Sequence, residues 1–392
     1  MTKATRPNNR QRPSKTGPGL YFHIPFCTKR CRYCGFVSEV RKPLPEAAYA
    51  GALLQELESR AEAFQTAPLA SIYFGGGTPS KFAPETIARL IQRCRDIFPM
   101  RRSPEITLEA NPESVTKKKL AGFRAAGVNR LSLGVQSFNP KHLAFLGRLH
   151  SAAQARRAAQ AARDVGFENL SLDLMFAIPG QTLADLGADL DRAMELGADH
   201  LSVYELTWEK DTELERARQQ GKVQPMDEEL AAQMFLEIEE TLADADLPRY
   251  EVSNFARPGF ECRHNLSGWA LDPYLGLGAA AHSLLPSGER QANVPEVEKY
   301  LEQVKRTGRA VAGSEPPDPE RERREYIFLS LRTTGGISLR DYQKRFGREL
   351  IHEKAEVIES LQAVKLISLK QGRLKLTPKG FLLADAAALE LI

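Results

Sequence analysis

Residues 21–36 read YFHIPFCTKRCRYCGF, an apolar strand pattern that runs into three closely spaced cysteines. Cys27, Cys31 and Cys34 have the spacing C-x3-C-x2-C, which lets one loop present three thiolates to a small inorganic centre. Structural zinc sites usually take four ligands in two pairs, and a redox pair is a single C-x-x-C. The spacing therefore predicts a [4Fe–4S] cluster with one iron open to a further ligand. A zinc ion completed by His23 is the alternative.

Beyond this stretch, short apolar runs alternate with longer amphipathic segments. The predicted strands are LYFHIP (20–25), SIYFG (71–75), EITLEA (105–110), RLSLGV (130–135), LSLDLMF (170–176) and HLSVYEL (200–206). Helices are predicted between them; over residues 86–98, for example, apolar residues that include Cys94 share one face. Repeated β-then-α units predict an α/β fold with a parallel sheet, and their number favours a partial (β/α)6 TIM-like barrel. In such barrels the chemistry collects at the carboxyl ends of the strands.

Length, charge and cysteine usage limit the class of protein. A chain of 392 residues, 42% of them hydrophobic, is long enough for about two domains. Its 54 Lys and Arg against 50 Asp and Glu give a net charge of +4, too small to indicate a nucleic-acid partner. Five cysteines are few for a disulfide framework, and the sequence has neither a signal-peptide pattern nor a long apolar span. We therefore expect a soluble, cytoplasmic protein that does not bind nucleic acid.

The chain divides into three expected regions. Residues 1–16 are basic, lack acids and are almost without apolar side chains, so a disordered tail is predicted. Residues 17–312 are expected to form the barrel and its extension. The sequence GSEPPDPE then breaks the periodicity, and residues 313–392 are expected to form a winged-helix-like domain, because helices precede a hairpin pattern. Its expected recognition helix, residues 349–361, carries four glutamates, which favours a packing or lid role over DNA binding.

The cysteine motif resembles the signature of the radical S-adenosylmethionine (radical SAM) superfamily, including the aromatic Tyr33 between the last two cysteines. The whole run 21–36 resembles the branch that contains oxygen-independent coproporphyrinogen III dehydrogenase and the HemW-type haem chaperones. The resemblance extends from about residue 20 to the C-terminus. It implies a radical SAM barrel in which Cys27, Cys31 and Cys34 hold a [4Fe–4S] cluster, whose open iron binds S-adenosylmethionine.

The same resemblance implies a set of residues that bind S-adenosylmethionine. They are Tyr21, Gly75, Gly76, Gly77, Thr78, Glu109, Gln136, Arg148 and Asp173. Their chemistry is suitable, since glycines allow a close backbone approach, carboxylates suit ribose hydroxyls and a positive ligand, and arginine suits a carboxylate. The polar positions end or follow predicted strands, so we expect them to meet on one rim of the barrel.

Two features bear on whether the chain is an enzyme or a carrier. Dehydrogenase members of the branch have another cysteine two residues after the third, where this chain has Phe36. The resemblance then implies a haem chaperone that delivers haem to respiratory haem proteins, with transient membrane contact during delivery. The alternative is the dehydrogenase reaction, the radical oxidative decarboxylation of propionate side chains in porphyrin biosynthesis. A radical enzyme with an unrelated substrate is a third possibility, because the barrel and cluster supply the radical and the cavity selects its target. The residues leave open which of the three functions the chain performs.

The second feature is the sequence CRHNLSGW, residues 262–269, which resembles the HN-x-x-Y-W mark of haem binding in the chaperone group. It implies that His264 is an axial haem ligand, because a neutral imidazole can bind iron. Gly268 stands where the family usually has tyrosine, so a hydroxyl is lost there. Cys262 is a second candidate ligand, since a free cysteine can either pack as a small hydrophobe or bind a metal.

Overall fold

The computed structural model describes residues 17–65 and 67–392. The predicted basic tail, residues 1–16, lies outside the described residues. The strands are β1 Gly19–Ile24, β2 Phe26–Cys27, β3 Glu39–Val40, β4 Leu69–Gly76, β5 Met100–Ala110, β6 Arg130–Gln136, β7 Asn169–Phe176, β8 His200–Glu205, β9 Arg249–Glu251, β10 Asn254–Ala256, β11 Tyr274–Leu277, β12 His282–Leu284, β13 Arg290–Asn293, β14 Val311–Glu315, β15 Ile337–Ser338, β16 Ile367–Lys370 and β17 Arg373–Leu376.

Helices follow most of the parallel strands. They are α1 Glu46–Arg60, α2 Pro84–Ile97, α3 Lys117–Ala126, α4 Pro140–Leu146, α5 Ala152–Asp164, α6 Leu183–Glu195, α7 Glu213–Gln219, α8 Glu228–Asp244, α9 Arg263–Trp269, α10 Val297–Thr307, α11 Pro319–Leu331, α12 Leu339–Phe346, α13 Leu350–Glu353, α14 Ala355–Ala363, α15 Pro378–Leu382 and α16 Ala384–Leu391. None of the helices in the described residues has the length and apolar character needed to cross a membrane.

One twelve-stranded sheet forms the body of the protein, in the order β14-β13-β12-β11-β1-β4-β5-β6-β7-β8-β10-β9. The six strands from β1 to β8 in this order run parallel, and β11 continues the parallel set beside β1. Antiparallel strands extend both ends of the sheet. Since β1 and β8 are not neighbours, the barrel is open on one side. The six predicted strands and the partial (β/α)6 fold are confirmed.

Alternation along the parallel strands gives the sheet two different faces, because successive side chains of a strand point to opposite sides. Leu20, Phe22 and Ile24 of β1 are fully buried in the main hydrophobic core, and each such side chain contributes about 1.5–3 kcal/mol of burial free energy. Tyr21 and His23 point to the other face. The same alternation brings polar side chains to that inner face, namely Ser71, Tyr73, Glu105, Thr107, Glu109, Arg130, Ser132, Ser171, Asp173, His200 and Ser202. The barrel interior is therefore polar, as a ligand site requires.

Helix α2 matches the predicted segment 86–98 closely. It begins with Pro84 at its first position, where the missing N–H costs nothing, and its last residue is Ile97. The apolar face of α2 is buried against the sheet, and Cys94 on this face is fully buried, as the pattern predicted.

The C-terminal segment contains the predicted hairpin. Strands β16 and β17 pair in antiparallel register around Gln371 and Gly372, both of which have positive φ. Thr377 then caps α15 by accepting a hydrogen bond from the N–H of Gly380. The single helix expected over 349–361 is instead two helices, because Lys354 between them adopts φ −123° and ψ 27°, outside the helical region.

The junction between the predicted regions lies at the edge of the large sheet. Gly313, where the second domain was expected to begin, lies in β14 and pairs with Ala292 of β13. Helix α11 then begins at Pro319, and Asp318 caps it. A second hydrophobic core joins Leu284 of the barrel extension to Ile327 and other residues of the C-terminal segment. The division at residue 312 stays a prediction.

Candidate functional site

The three cysteines lie in a loop that is held at both ends. Strands β2 and β3 pair in parallel, with Cys27 opposite Val40, so the chain between them forms a loop whose two ends are held together. His23 fixes the return of the loop, because its Nε2 lies 2.9 Å from the carbonyl oxygen of Val37. Cys27, Cys31 and Cys34 are all unbonded to one another and half-buried. The fold thus presents three thiols on one small loop, as the sequence predicted.

These thiols suit an iron–sulfur cluster better than zinc. Both ring nitrogens of His23 have protein partners, since Nδ1 lies 3.1 Å from the hydroxyl of Tyr21. His23 is therefore not free to complete a zinc site with the three cysteines. Zinc needs its ligands around one point. A cluster accepts each thiolate on a different iron.

Basic and hydroxyl groups surround the thiols. Nη1 of Arg148 donates to Sγ of Cys31 at 3.2 Å, and the hydroxyl of Thr78 donates to Sγ of Cys27 at 3.7 Å. Burial raises the pKa of the Cys27 and Cys34 thiols. Thiolates at such positions need nearby positive charge, which Lys81 supplies to Cys27 and Arg30 supplies to Cys34.

The glycine run after β4 passes very close to the strand before the cysteines. A Cβ on Gly75 would lie 2.9 Å from Cε2 of Tyr21, and one on Gly77 would lie 2.8 Å from the carbonyl carbon of Pro25 and 3.1 Å from Sγ of Cys27. Gly76 has φ +112°, a conformation that favours glycine. The absence of side chains therefore permits the backbone approach that the sequence implied.

Glu109 ends β5 beside this run. Its carboxylate accepts hydrogen bonds from the hydroxyl of Tyr73 at 2.8 Å and from the N–H of Gly76 at 3.2 Å. Burial raises the pKa of Glu109 to about 7. Asp173 on β7 accepts from Ser132 at 3.0 Å, and burial raises the pKa of this carboxyl as well. A cationic ligand between the two carboxyl groups would favour their ionised forms.

Gln136 and Arg148 complete the rim. Gln136 has φ +67°, unusual for a residue other than glycine, at an irregularity in the pairing of β6 with β7. Nη2 of Arg148 donates to Oδ1 of Asn111 at 2.5 Å and to the carbonyl oxygen of Gly134 at 2.7 Å. Nε of Arg148 is buried and has no partner among the described residues. The structure thus places Gly75, Gly76, Gly77, Thr78, Glu109 and Gln136 at or just after the carboxyl ends of β4, β5 and β6. Tyr21 and Asp173 lie within β1 and β7, and Arg148 follows α4.

His264 lies in α9, towards the opposite, amino-terminal end of the barrel. Its ring stacks on Tyr73 at a centroid distance of 4.9 Å, and Nδ1 lies 2.9 Å from the hydroxyl oxygen of Ser71. In the part of the chain that the structure describes, Nε2 makes no hydrogen bond. Burial lowers the pKa of His264 to about 4, so the ring is neutral at physiological pH.

Two residues that support His264 were missed in the sequence. The carboxylate of Glu105 accepts hydrogen bonds from the N–H groups of Arg263 and His264, at 3.0 and 3.1 Å, and so caps α9. Ser71 orients the imidazole. The strand alternation places both residues on the inner face, but α9 lies more than 150 residues further along the chain, and no spacing rule connects them.

A cavity of about 660 Å³ lies beside His264, within the size range of small-molecule sites. Elements from both ends of the parallel set border it, so it occupies the open side of the barrel, and α11 covers part of it. Its lining includes Gly19, Tyr204, Glu251, Asn254, His264, Asn265, Gly268, Trp269, Leu271, Asp272, Tyr274, Leu284, Arg290, Glu325, Phe328 and Leu329. The expected haem-binding segment therefore faces a cavity of suitable size.

Cys262, the second candidate ligand, has a different environment. It is fully buried, its Sγ lies 3.5 Å from Oε1 of Glu105, and it is not part of the cavity lining. Burial raises the pKa of this thiol to about 12. A protonated, enclosed thiol is a poor metal ligand, so the geometry favours His264.

Two known families match parts of the sequence. The Radical SAM superfamily matches residues 21–193, and the HemN C-terminal domain matches residues 318–383. The first match contains the cysteine loop and the strands whose ends carry Glu109, Gln136 and Asp173. The second contains α11 and the hairpin.

Individual proteins resemble the chain over nearly its whole length. It is 35% identical to Heme chaperone HemW of Bacillus subtilis over 366 residues, which cover 93% of this chain and 96% of that protein. It is 33% identical to Radical S-adenosyl methionine domain-containing protein 1, mitochondrial, of Bos taurus, with 97% of this chain and 89% of that protein covered. The structure of the radical SAM enzyme coproporphyrinogen III oxidase (HemN) from Escherichia coli matches at a TM-score of 0.83 and 25% identity, covering 97% of this chain and 91% of that one.

Proposed function

Since this chain belongs to the HemW family of the radical SAM superfamily, we propose that it is a haem chaperone, which binds haem and delivers it to respiratory haem proteins. The observation that carries the proposal is the free Nε2 of His264 beside a cavity of about 660 Å³. The name of the Bacillus subtilis relative supports the same assignment. The carrier works in the cytoplasm and meets the membrane only when it delivers haem.

The family implies a [4Fe–4S] cluster and S-adenosylmethionine, and we assign their sites to this chain's residues. Cys27, Cys31 and Cys34 would hold the cluster, which would supply redox-active iron. Tyr21 and Asp173 face the cofactor from the inner face of the barrel. The remaining residues of the cofactor site are Gly75, Gly76, Gly77, Thr78, Glu109, Gln136 and Arg148. Glu109 and Asp173 offer carboxylates to ribose hydroxyls and to the positive sulfonium, and the glycines let the backbone approach the ligand.

His264 supplies the haem site in this proposal. Ser71 holds Nδ1, so Nε2 is the nitrogen directed to iron, an arrangement in which the second hydrogen bond fixes the orientation of a metal-binding imidazole. Trp269 and Phe328 give the cavity an apolar wall for the macrocycle. Gly268 contributes no hydroxyl, so no tyrosine assists binding at this position.

A coproporphyrinogen III dehydrogenase is the second candidate. The complete set of cofactor-site residues favours it, because a carrier has no evident need for a full radical site. Phe36 argues against it, since this residue, whose side chain is 67% exposed beside the cluster loop, replaces the additional cysteine of the dehydrogenases. The carrier therefore remains the better assignment.

One sample can separate the two functions. The protein is reconstituted anaerobically with iron and sulfide and titrated with haem. It is then assayed for decarboxylation of coproporphyrinogen III with added S-adenosylmethionine and a chemical reductant. The carrier predicts a haem absorption band that His264→Ala weakens and His352→Ala, a change at a 79%-exposed histidine, leaves unchanged. Decarboxylation by the wild-type protein, without specific haem binding, would contradict the carrier and favour the enzyme.

A further inference from the structure

Arg290 and Glu325 form an ion pair at the wall of the cavity. Arg290 begins β13 and Glu325 lies in α11, so the pair joins the large sheet to the C-terminal segment. The two side chains are 29% and 31% exposed. A partly solvated ion pair of this kind is weak and can exchange one partner for another at little cost.

The charges on the cavity wall are distributed unevenly. Among its described lining residues, Arg290 is the only lysine or arginine, whereas Glu251, Asp272 and Glu325 carry carboxyl groups. A ligand with a carboxylate would be repelled by this wall unless a guanidinium received it. The Arg290 guanidinium, however, is already paired with the carboxylate of Glu325.

The other residues that line the cavity indicate which kind of ligand would compete with Glu325 for Arg290. Trp269, Leu284 and Phe328 provide apolar surface, and His264 directs an unpartnered imidazole nitrogen to the same space. A metallated tetrapyrrole with propionate side chains has the three matching parts, namely an apolar macrocycle, a metal and carboxylates.

We propose that Arg290 binds a propionate of the tetrapyrrole and that Glu325 occupies this position until the ligand displaces it. This inference rests on the haem-carrier function proposed above. The exchange conserves charge, because one carboxylate leaves the guanidinium as another arrives. Arginine can hold the incoming carboxylate through two parallel hydrogen bonds.

Displacement of Glu325 removes an ion pair between α11 and the edge of the sheet. A second ion pair joins Arg321 to Glu315 of β14 at 2.6 Å, and neither of these residues lines the cavity. Phe328 and Leu329 lie three and four residues after Glu325 on the same helix and form part of the cavity wall. Ligand binding at Arg290 therefore changes a contact made by the helix that forms part of the cavity wall.

The test compares haem with haem dimethyl ester, which keeps the iron and macrocycle but has no free carboxylate. Both are titrated into the full-length protein by absorbance. Arg290→Gln is expected to weaken haem binding about tenfold and to leave ester binding unchanged. Glu325→Gln is expected to tighten haem binding about two- to fivefold by freeing Arg290. Glu315→Gln, which breaks the matched ion pair outside the cavity, should change neither affinity.

The possible failures are distinct. If wild type binds neither haem nor ester, the haem-carrier function fails. If wild type binds both equally, or if Arg290→Gln and Glu325→Gln bind haem as wild type does, the carrier survives and the role of Arg290 is overturned. Arg290→Lys keeps the charge without the planar fork, so an affinity between those of wild type and Arg290→Gln is expected. This variant and Glu325→Gln decide the question even if Arg290→Gln does not fold.

Discussion

The hydroxyl oxygen of Ser71 lies 2.9 Å from Nδ1 of His264. This contact joins the start of a barrel strand to a helix nearly two hundred residues later in the chain. It fixes which edge of the imidazole ring is turned to the cavity, because the ring can rotate only by breaking the hydrogen bond. The contact also leaves Nε2 as the nitrogen available to iron.

Ser71→Ala should therefore weaken haem binding without removing the ligand itself. Loss of a residue that orients a metal-binding histidine typically costs about tenfold or more in affinity. Haem titration by absorbance measures the change. Ser80→Ala, which removes a buried serine bonded to Ser114 at the other end of the barrel, is the control and should bind haem as wild type does. Equal affinity in Ser71→Ala and wild type would show that Ser71 does not orient the ligand.

Cys262→Ala tests the alternative ligand. The thiol is enclosed next to Glu105 and outside the cavity lining, so its removal should leave the haem affinity and absorption band unchanged. A small loss of stability, about 1 kcal/mol, is expected from the buried volume removed. If the haem absorption band shifted in Cys262→Ala and was unchanged in His264→Ala, Cys262 rather than His264 would be the haem ligand.

The buried carboxyl of Glu109 predicts how the stability of the folded protein depends on pH. Burial raises its pKa from 4.5 to about 7, so the folded protein without cofactor holds a proton that the unfolded chain releases above pH 4.5. Between pH 4.5 and about 7 the folded state binds more protons, and its stability should therefore fall as the pH rises through this window. Glu109→Gln should reduce this slope, as thermal unfolding at a series of pH values would measure.

The same carboxyl should control affinity for S-adenosylmethionine. The cationic ligand favours ionised Glu109, so binding should strengthen as the pH rises through about 7, and Glu109→Gln should remove this dependence. Glu251 supplies the matched control, because burial also raises its pKa to about 7 but it lies in the haem-side cavity. Glu251→Gln should change the pH dependence of stability and leave S-adenosylmethionine binding unaltered. Loss of the binding dependence in both variants would mean that the effect comes from stability.

The sequence predicted the parts of the site that follow one another along the chain. The cysteine loop is a local motif, and the family resemblance named Glu109 and Asp173. Their convergence was expected from the rule that the carboxyl ends of parallel strands meet on one rim. Ser71 and Glu105 could be placed on the inner face, but their partner α9 could not. Tertiary packing brings His264 into the barrel, and no local pattern encodes that contact.

The cavity could not be predicted from the sequence for the same reason, because tertiary packing creates it. Arg290 and Glu325 come from an edge strand and from a helix after the predicted domain boundary, and each looks like an ordinary surface charge in the sequence. Their significance depends on the open side of the barrel, which follows from the order of strands in the sheet. The sequence predicted six of the seven parallel strands, but it predicted neither β11 nor the elements that border the open side of the barrel.

The last prediction concerns the glycine that touches the cluster loop. A Cβ on Gly77 would lie 2.8 Å from the carbonyl carbon of Pro25 and 3.1 Å from Sγ of Cys27, and backbone at such a distance cannot yield without moving the loop. Gly77→Ala should therefore lower the iron and sulfide content after anaerobic reconstitution and destabilise the fold by about 1–3 kcal/mol. Gly187→Ala is the matched control, because nothing lies within 4 Å of the added Cβ and the residue is within α6. There alanine should stabilise the helix by about 0.5–1 kcal/mol and leave cluster content unchanged. Full cluster content in Gly77→Ala would mean that the loop shifts freely, and that the close approach of this backbone does not position Cys27.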